Sequence, residues 1–141
     1  MSRKGSKIEA LIAGFQGQEL DAHYLAYFEC FNQQLFFEAH DVLEALWLAD
    51  RHGPKGSFYK GLIQLAGAFV HLQKNRLRPS AALFRLAREN LKTYSAVLDR
   101  LDLAALLAMI ESWIGKLESA DFAINPLTPE TSPVLKLQEE S

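Results

Sequence analysis

His40, Glu44 and Trp47 stand four and three residues apart, a spacing that projects all three from one face of a helix. Further along, Gln64 and His71 are seven residues apart, nearly two helical turns, and share a second face with Ala68 between them. Two helices packed as an antiparallel hairpin would bring these faces together inside a bundle. Two imidazoles, a carboxylate and an amide at one interior point have three uses. They can satisfy one another as a hydrogen-bond network that orients the rings and fixes helix register. They can hold a divalent metal, with His40, Glu44 and His71 as ligands and Gln64 or water completing the shell. They can line a small-molecule pocket in which His40 acts as an acid–base group. The network is the expected use, because interior polar groups are normally paired and one His-x-x-x-Glu spacing falls short of a metal-ligand motif.

The elements that must position these residues are helical. Ile8, Leu11, Ile12 and Phe15 share one face of a short first helix, which Gly14 and Gly17 interrupt. Leu20, Tyr24, Tyr27, Phe28 and Phe31 form an aromatic stripe on a second helix from about Gln18 to Gln33, read as core. A third helix, from about Phe36 to Ala49, carries His40, Glu44 and Trp47 and stops before the Gly53-Pro54 loop. The fourth is expected to start near Ser57 as N-cap and to run to Gln73, with Asn75 as a left-handed stop. From Leu62 to Val70 only Gln64 is polar, so neighbours should cover most of this helix, as at the centre of a bundle. Pro79 suits the first turn of a fifth helix whose Leu83, Leu86, Ala87, Asn90, Leu91 and Tyr94 trace one face. Asp102 can cap a sixth, with Leu106, Leu107, Ile110, Trp113, Ile114 and Leu117 as its stripe. Asn125-Pro126, Thr128-Pro129 and Ser132-Pro133 then rule against helix, leaving an extended, partly anchored tail whose start Phe122 and Ile124 should pin.

The 141 residues suit one core, and the balance of about half apolar to a quarter charged residues is that of a globular chain. No apolar run approaches the roughly 18 residues of a membrane span, and Met1 to Ser6 lacks the apolar segment of a signal peptide, so a cytoplasmic protein is expected. Cys30, the single cysteine, excludes an internal disulfide and reads as a small buried hydrophobe. Net charge is −2 but unevenly spread: between Arg51 and Lys92 nine Lys/Arg face the single acid Glu89, leaving six against sixteen elsewhere. Acidic and basic helices packed side by side, in one chain or across an oligomer contact, account for this most simply. Arg85, Arg88 and Lys92 share a face of the fifth helix and form the candidate anion-binding set, yet a nucleic-acid partner is disfavoured without a global positive excess or base-stacking aromatics. Glu38 suits the first turn of the third helix, and Lys60 is expected to snorkel or to pair with Glu38 or Asp41; His23 and His52 read as solvated.

The run from Phe36 through Glu38-Ala39-His40-Asp41 and Glu44 to Trp47, followed by Tyr59-Lys60-Gly61-Leu62-Ile63-Gln64-Leu65-Ala66 and then His71, resembles the signature of domain-of-unknown-function family three hundred and nine. The resemblance spans roughly Ala26 to Tyr94. It implies a small helical fold without an established activity, in which His40, Glu44, Trp47, Gly61, Gln64 and His71 occupy signature positions. Where the family pattern has a Glu after the first His, this chain has Asp41.

The expectation is therefore an all-α protein: a compact bundle of about five to six helices over residues 1–120 with an extended, proline-containing tail over 121–141. Its leading functional reading is a non-enzymatic structural or protein-interaction domain, acting as a homo-oligomer or with a protein partner and no membrane, with a buried His/Glu/Gln network. The alternatives are an enzyme dependent on a metal or small ligand through His40, Glu44 and His71, and anion binding through the fifth helix.

Overall fold

The computed structural model describes residues 3–139, with side chains from Ile8 onward. Its centre is α4 (Gly56–Gln73), in which Phe58, Leu62, Leu65, Ala66, Ala68 and Phe69 are fully buried. The long apolar run of this helix is thus covered on most sides, by α3 (Phe36–Asp50) and α5 (Leu77–Leu91) above all. Close approach needs small residues. A Cβ on Gly61 would lie 2.7 Å from Leu91 Cγ and 3.3 Å from the Ala87 carbonyl oxygen, so α5 rests directly on α4 backbone there. Each interior glycine costs a helix about 1 kcal/mol, which the contact must offset.

The aromatic stripe of α2 (Ala22–Asn32) is core, as expected, with Tyr24, Tyr27, Phe28 and Phe31 buried. Phe31 meets Phe36 and Phe69 edge-on, Phe36 stacks on Phe69 at 22°, and Phe69 reaches Phe84 and Trp113. Tyr27 donates from its buried hydroxyl to the Leu62 carbonyl at 2.6 Å, and buried Ser80 donates to the Ala68 carbonyl at 2.9 Å. Cys30 is buried.

Helix starts follow side-chain chemistry in two places. Asp21 accepts from the His23 N–H at 2.7 Å and shortens α2 relative to the expected Gln18 start, while Asp102 accepts from the Ala105 N–H at 3.0 Å and opens α6 (Leu103–Ser119). Ser57 does not cap α4. The helix begins one residue earlier, where a Cβ on Gly56 would come within 2.4 Å of the Arg51 carbonyl oxygen, so the tight α3–α4 loop decides the boundary. Asn75 adopts the left-handed backbone expected of it. Helix α1 (Arg3–Gly14) begins earlier than Ile8 and packs against α2.

Between α5 and α6 lies a hairpin that helical periodicity did not announce. Strands β1 (Val97–Leu98) and β2 (Leu101–Asp102) pair antiparallel, with Asp99 and Arg100 both at positive φ in the turn. Lys55 Nζ contacts both Asp99 carboxylate oxygens at 3.0 and 2.8 Å, and Arg100 pairs with Glu19. After α6 the chain is extended, as the prolines require, and returns along the bundle. Phe122 is half-buried beneath the Arg78 guanidinium, 4.4 Å from its ring centre, but Ile124 is 68% exposed and pins nothing. Among the described residues no helix is long and apolar enough to cross a membrane.

Candidate functional site

One stripe of α4 is left uncovered. Lys60, Gln64, Gly67 and His71, with Lys74 just past the helix end, recur every three or four residues, and all are exposed or half-buried beside a largely buried remainder. The α3 side of this stripe carries Phe37, His40, Asp41, Glu44, Trp47 and Leu48, and the α5 side carries Leu83, Leu86 and Asn90. The result is a shallow surface groove with α4 as its floor. His40, Glu44, Trp47, Gln64 and His71 are all exposed or half-buried along it, so the shared face exists but looks outward, whereas Glu38 lines a different cavity beside Ile8 and Cys30 and Gly61 is buried beneath α5.

That is the principal correction to the expected buried network. Glu44 is exposed and makes no ion pair among the described residues, and Trp47 is half-buried with Lys60 Nζ 6.0 Å above its ring. Among the described residues Lys60 forms no ion pair with Glu38 or Asp41, the acids expected for it. Gln64 turns toward α5, where its Oε1 accepts from Asn90 Nδ2 at 2.7 Å. The imidazoles do share a spot: His40 and His71 line one cavity of about 210 Å³ with Phe37, Gly67, Val70, Lys74 and Leu83. The His40 ring lies nearly parallel to Phe37, at 16° and 6.2 Å, with Nδ1 3.3 Å from Asp41 Oδ1.

Antiparallel packing explains the split. His40 stands near the start of α3 and therefore opposite His71 at the end of α4, and each turn along α3 moves away from that imidazole. Glu44 and Trp47 accordingly sit nearer the level of Gln64 and Lys60. Among the described residues no group of three or more His, Cys, Asp or Glu is arranged to hold a metal ion, so His40, Glu44 and His71 do not assemble as a ligand set.

Electrostatics distinguish the two ends of the groove. At the His71 end, Lys74 and Arg76 have no ion-pair partner among the described residues. Burial of His71 Nδ1, which has no hydrogen-bond partner there, and the charges of Arg76 and Lys74 hold this imidazole below its usual pKa range. It is neutral at neutral pH. Toward the other end lie Glu44, which has no ion pair among the described residues, the exposed Lys60 and exposed Leu48.

The basic face of α5 has a different fate. Arg85 meets Glu118 at 2.9 Å, Arg88 meets Glu111 at 2.7 Å and Glu89 at 3.3 Å, and Lys92 meets Glu89 at 2.5 Å. Arg85 and Arg88 thus pair with acids of α6, as side-by-side packing of basic and acidic helices predicts, and Lys92 pairs with Glu89 of α5 itself. His23 is half-buried beside Asp21, and His52 is exposed.

Asn90, Phe37, Val70, Lys74 and Leu83 belong to the groove and were not read as site residues. Asn90 was legible, being the one amide in an otherwise apolar α5 stripe. Phe37 was not, since a helix wheel does not distinguish a covered aromatic from an open one.

Residues 24–83, from Tyr24 in α2 to Leu83 in α5, match the family model described as Domain of unknown function (DUF309). The match contains His40, Glu44, Trp47, Gln64 and His71. No curated protein and no solved structure matches the chain.

Proposed function

We propose that this chain, which carries a DUF309 domain over residues 24–83, works as a non-enzymatic protein-interaction domain whose groove docks a second copy of itself. The observation that carries this reading is the polarity of the groove. Apolar Phe37, at 47% exposure, Leu86, at 50%, and Leu48, at 51%, stand along a surface that carries Lys74 and Arg76 at one end and Glu44 together with Lys60 further along, none of the four with an ion pair among the described residues. A two-fold axis across such a groove sets each end against the opposite end of its mate, so acid meets base twice without a second surface being required. Exposed aliphatic and aromatic groups supply the area, and the charges supply register.

Charge reversal tests it. In analytical ultracentrifugation the unaltered chain should sediment as a dimer, Glu44→Lys and Lys74→Glu should each weaken association by roughly tenfold or more, and the double variant should regain it. A chain that stays monomeric at about 100 µM, a concentration far above ordinary homodimer dissociation constants, would sink the proposal.

A small-molecule ligand is the second reading, supported by the cavity that His40 and His71 share. It calls for a dimer-independent binder that shifts the imidazole proton resonances of both residues.

A further inference from the structure

The segment that follows α6 is held to the bundle chiefly through its backbone. Asn32 recognises Leu135 in both directions, donating from Nδ2 to its carbonyl at 2.8 Å and accepting from its N–H at 2.7 Å. The Gln138 N–H donates to the Arg100 carbonyl at 2.7 Å. Asn125 Nδ2 donates to the Leu72 carbonyl at the end of α4, at 2.7 Å. Only Leu135 is buried among residues 121–139, and it seats against the start of α6 beside Leu101, Leu106 and Met109.

Two features make this strap a detachable one. Its hinge is strained: Asp121 and Phe122, consecutive and neither of them glycine, have φ of 50° and 58°. Its fit is incomplete, because Ser132 Oγ is buried without a hydrogen-bond partner among the described residues. A segment with one fully buried side chain, a few half-buried ones at Phe122, Leu127 and Leu137, and part-buried hydrogen bonds opens at lower free energy than the core does.

We propose that two copies of this chain exchange their C-terminal straps, each seating its residues 125–138 on the α2–α6 surface of the other. The contacts in the exchanged form are the same as those within one chain, so the occupant is chemically correct by construction. What changes is the hinge. In an exchanged pair residues 121–124 run outward, and Asp121 and Phe122 are free to leave the left-handed region. Against this stands the high effective concentration of a strap tethered to its own bundle, which makes the closed form prevail in dilute solution. The proposal stands on the strap and its hinge alone and does not need the groove.

Complementation tests it in full-length chains. Both partners carry Phe37→Glu, which disables the groove at an exposed position. One also carries Leu135→Asp, so its own strap cannot seat while its acceptor surface is intact. The other carries Asn32→Ala, so its acceptor is crippled while its strap is intact. Each alone should be monomeric, and the mixture should form a one-to-one dimer. Two folded monomers that remain apart when mixed at about 100 µM, where the intact acceptor no longer has a competing strap of its own, would overturn the proposal. If either variant fails to fold, hydrogen exchange on the chain bearing Phe37→Glu alone decides: Leu135 and Gln138 amides should exchange at least about a hundredfold faster than those of Leu65 and Phe69. Equal protection would equally overturn it.

Discussion

The flank of α5 that meets α6 and the flank that borders the groove are built from the same residue types and end in opposite states. Toward α6, Phe84 stacks with Trp113 at 18°, and Arg85 and Arg88 find Glu118 and Glu111. Toward the groove, Leu86 is half exposed, and the nearby cations Lys74 and Arg76 have no acidic partner among the described residues. The difference is whether another helix arrives. Where α6 packs, apolar surface is buried and charge is matched within the chain. On the other flank α3 and α5 straddle α4 without closing over it, and both the apolar area and the charge remain available.

The sharpest way to break this contrast is to truncate one phenylalanine on each side. Phe69, fully buried against four aromatic rings, should cost about 3–5 kcal/mol as Phe69→Ala, a loss read directly in denaturant midpoint. Phe37→Ala should move monomer stability by no more than about 0.5 kcal/mol, as for surface substitutions generally. Comparable losses at both positions would mean that the groove is really part of the core.

A smaller difference is expected between two glycines of α4. Gly61→Ala forces a Cβ to within 2.7 Å of Leu91 Cγ in a sealed contact, and overpacking of this kind typically costs about 1–3 kcal/mol. Gly67→Ala meets only the tip of Leu83, at 3.2 Å and beside open groove, so that side chain can yield and helix propensity should make the change neutral or slightly stabilising. Thermal melts of the two variants should therefore move apart, and a matching fall in both would contradict an open groove.

The smallest effect is a titration. His71 has its folded-state pKa below the unfolded value of about 6.5, so between these two values the unfolded chain binds the proton that the folded chain refuses. Its contribution leaves stability unaffected above that range and lowers it as pH falls through the range. His71→Asn should flatten the slope of stability against pH from about 6.5 downward, measured by urea unfolding at several pH values. An unchanged slope would place the imbalance elsewhere. The α5–α6 ion pairs should show instead as sensitivity to salt.

Much of this was legible in the chain itself. The periodicity of Leu20 to Phe31 and of Leu106 to Leu117, the capping chemistry of Asp102, the stop at Asn75 and the prolines after Asn125 were sufficient to read an all-α bundle with an extended tail. The matching of a basic middle with an acidic remainder anticipated the α5–α6 ion pairs. Spacing also placed His40, Glu44 and Trp47 on one face and Gln64 and His71 on another. The β1–β2 hairpin went unread because its strands are two residues long and its turn uses Asp99 and Arg100 rather than glycine.

What the chain could not determine is which way its polar faces look. Helical spacing states which side chains point together, because that follows from 3.6 residues per turn. It does not state whether a third helix lies over them, because that depends on contacts between residues distant in sequence. Packing of α6 on α5, but of nothing on the α3–α4–α5 face among the described residues, turned an expected interior network into a surface groove. The same distance in sequence hid the partner of Gln64 on α5 and the reciprocal grip of Asn32 on Leu135, 103 residues away. Local stereochemistry decided the elements, and only long-range packing decided what each of their faces would meet.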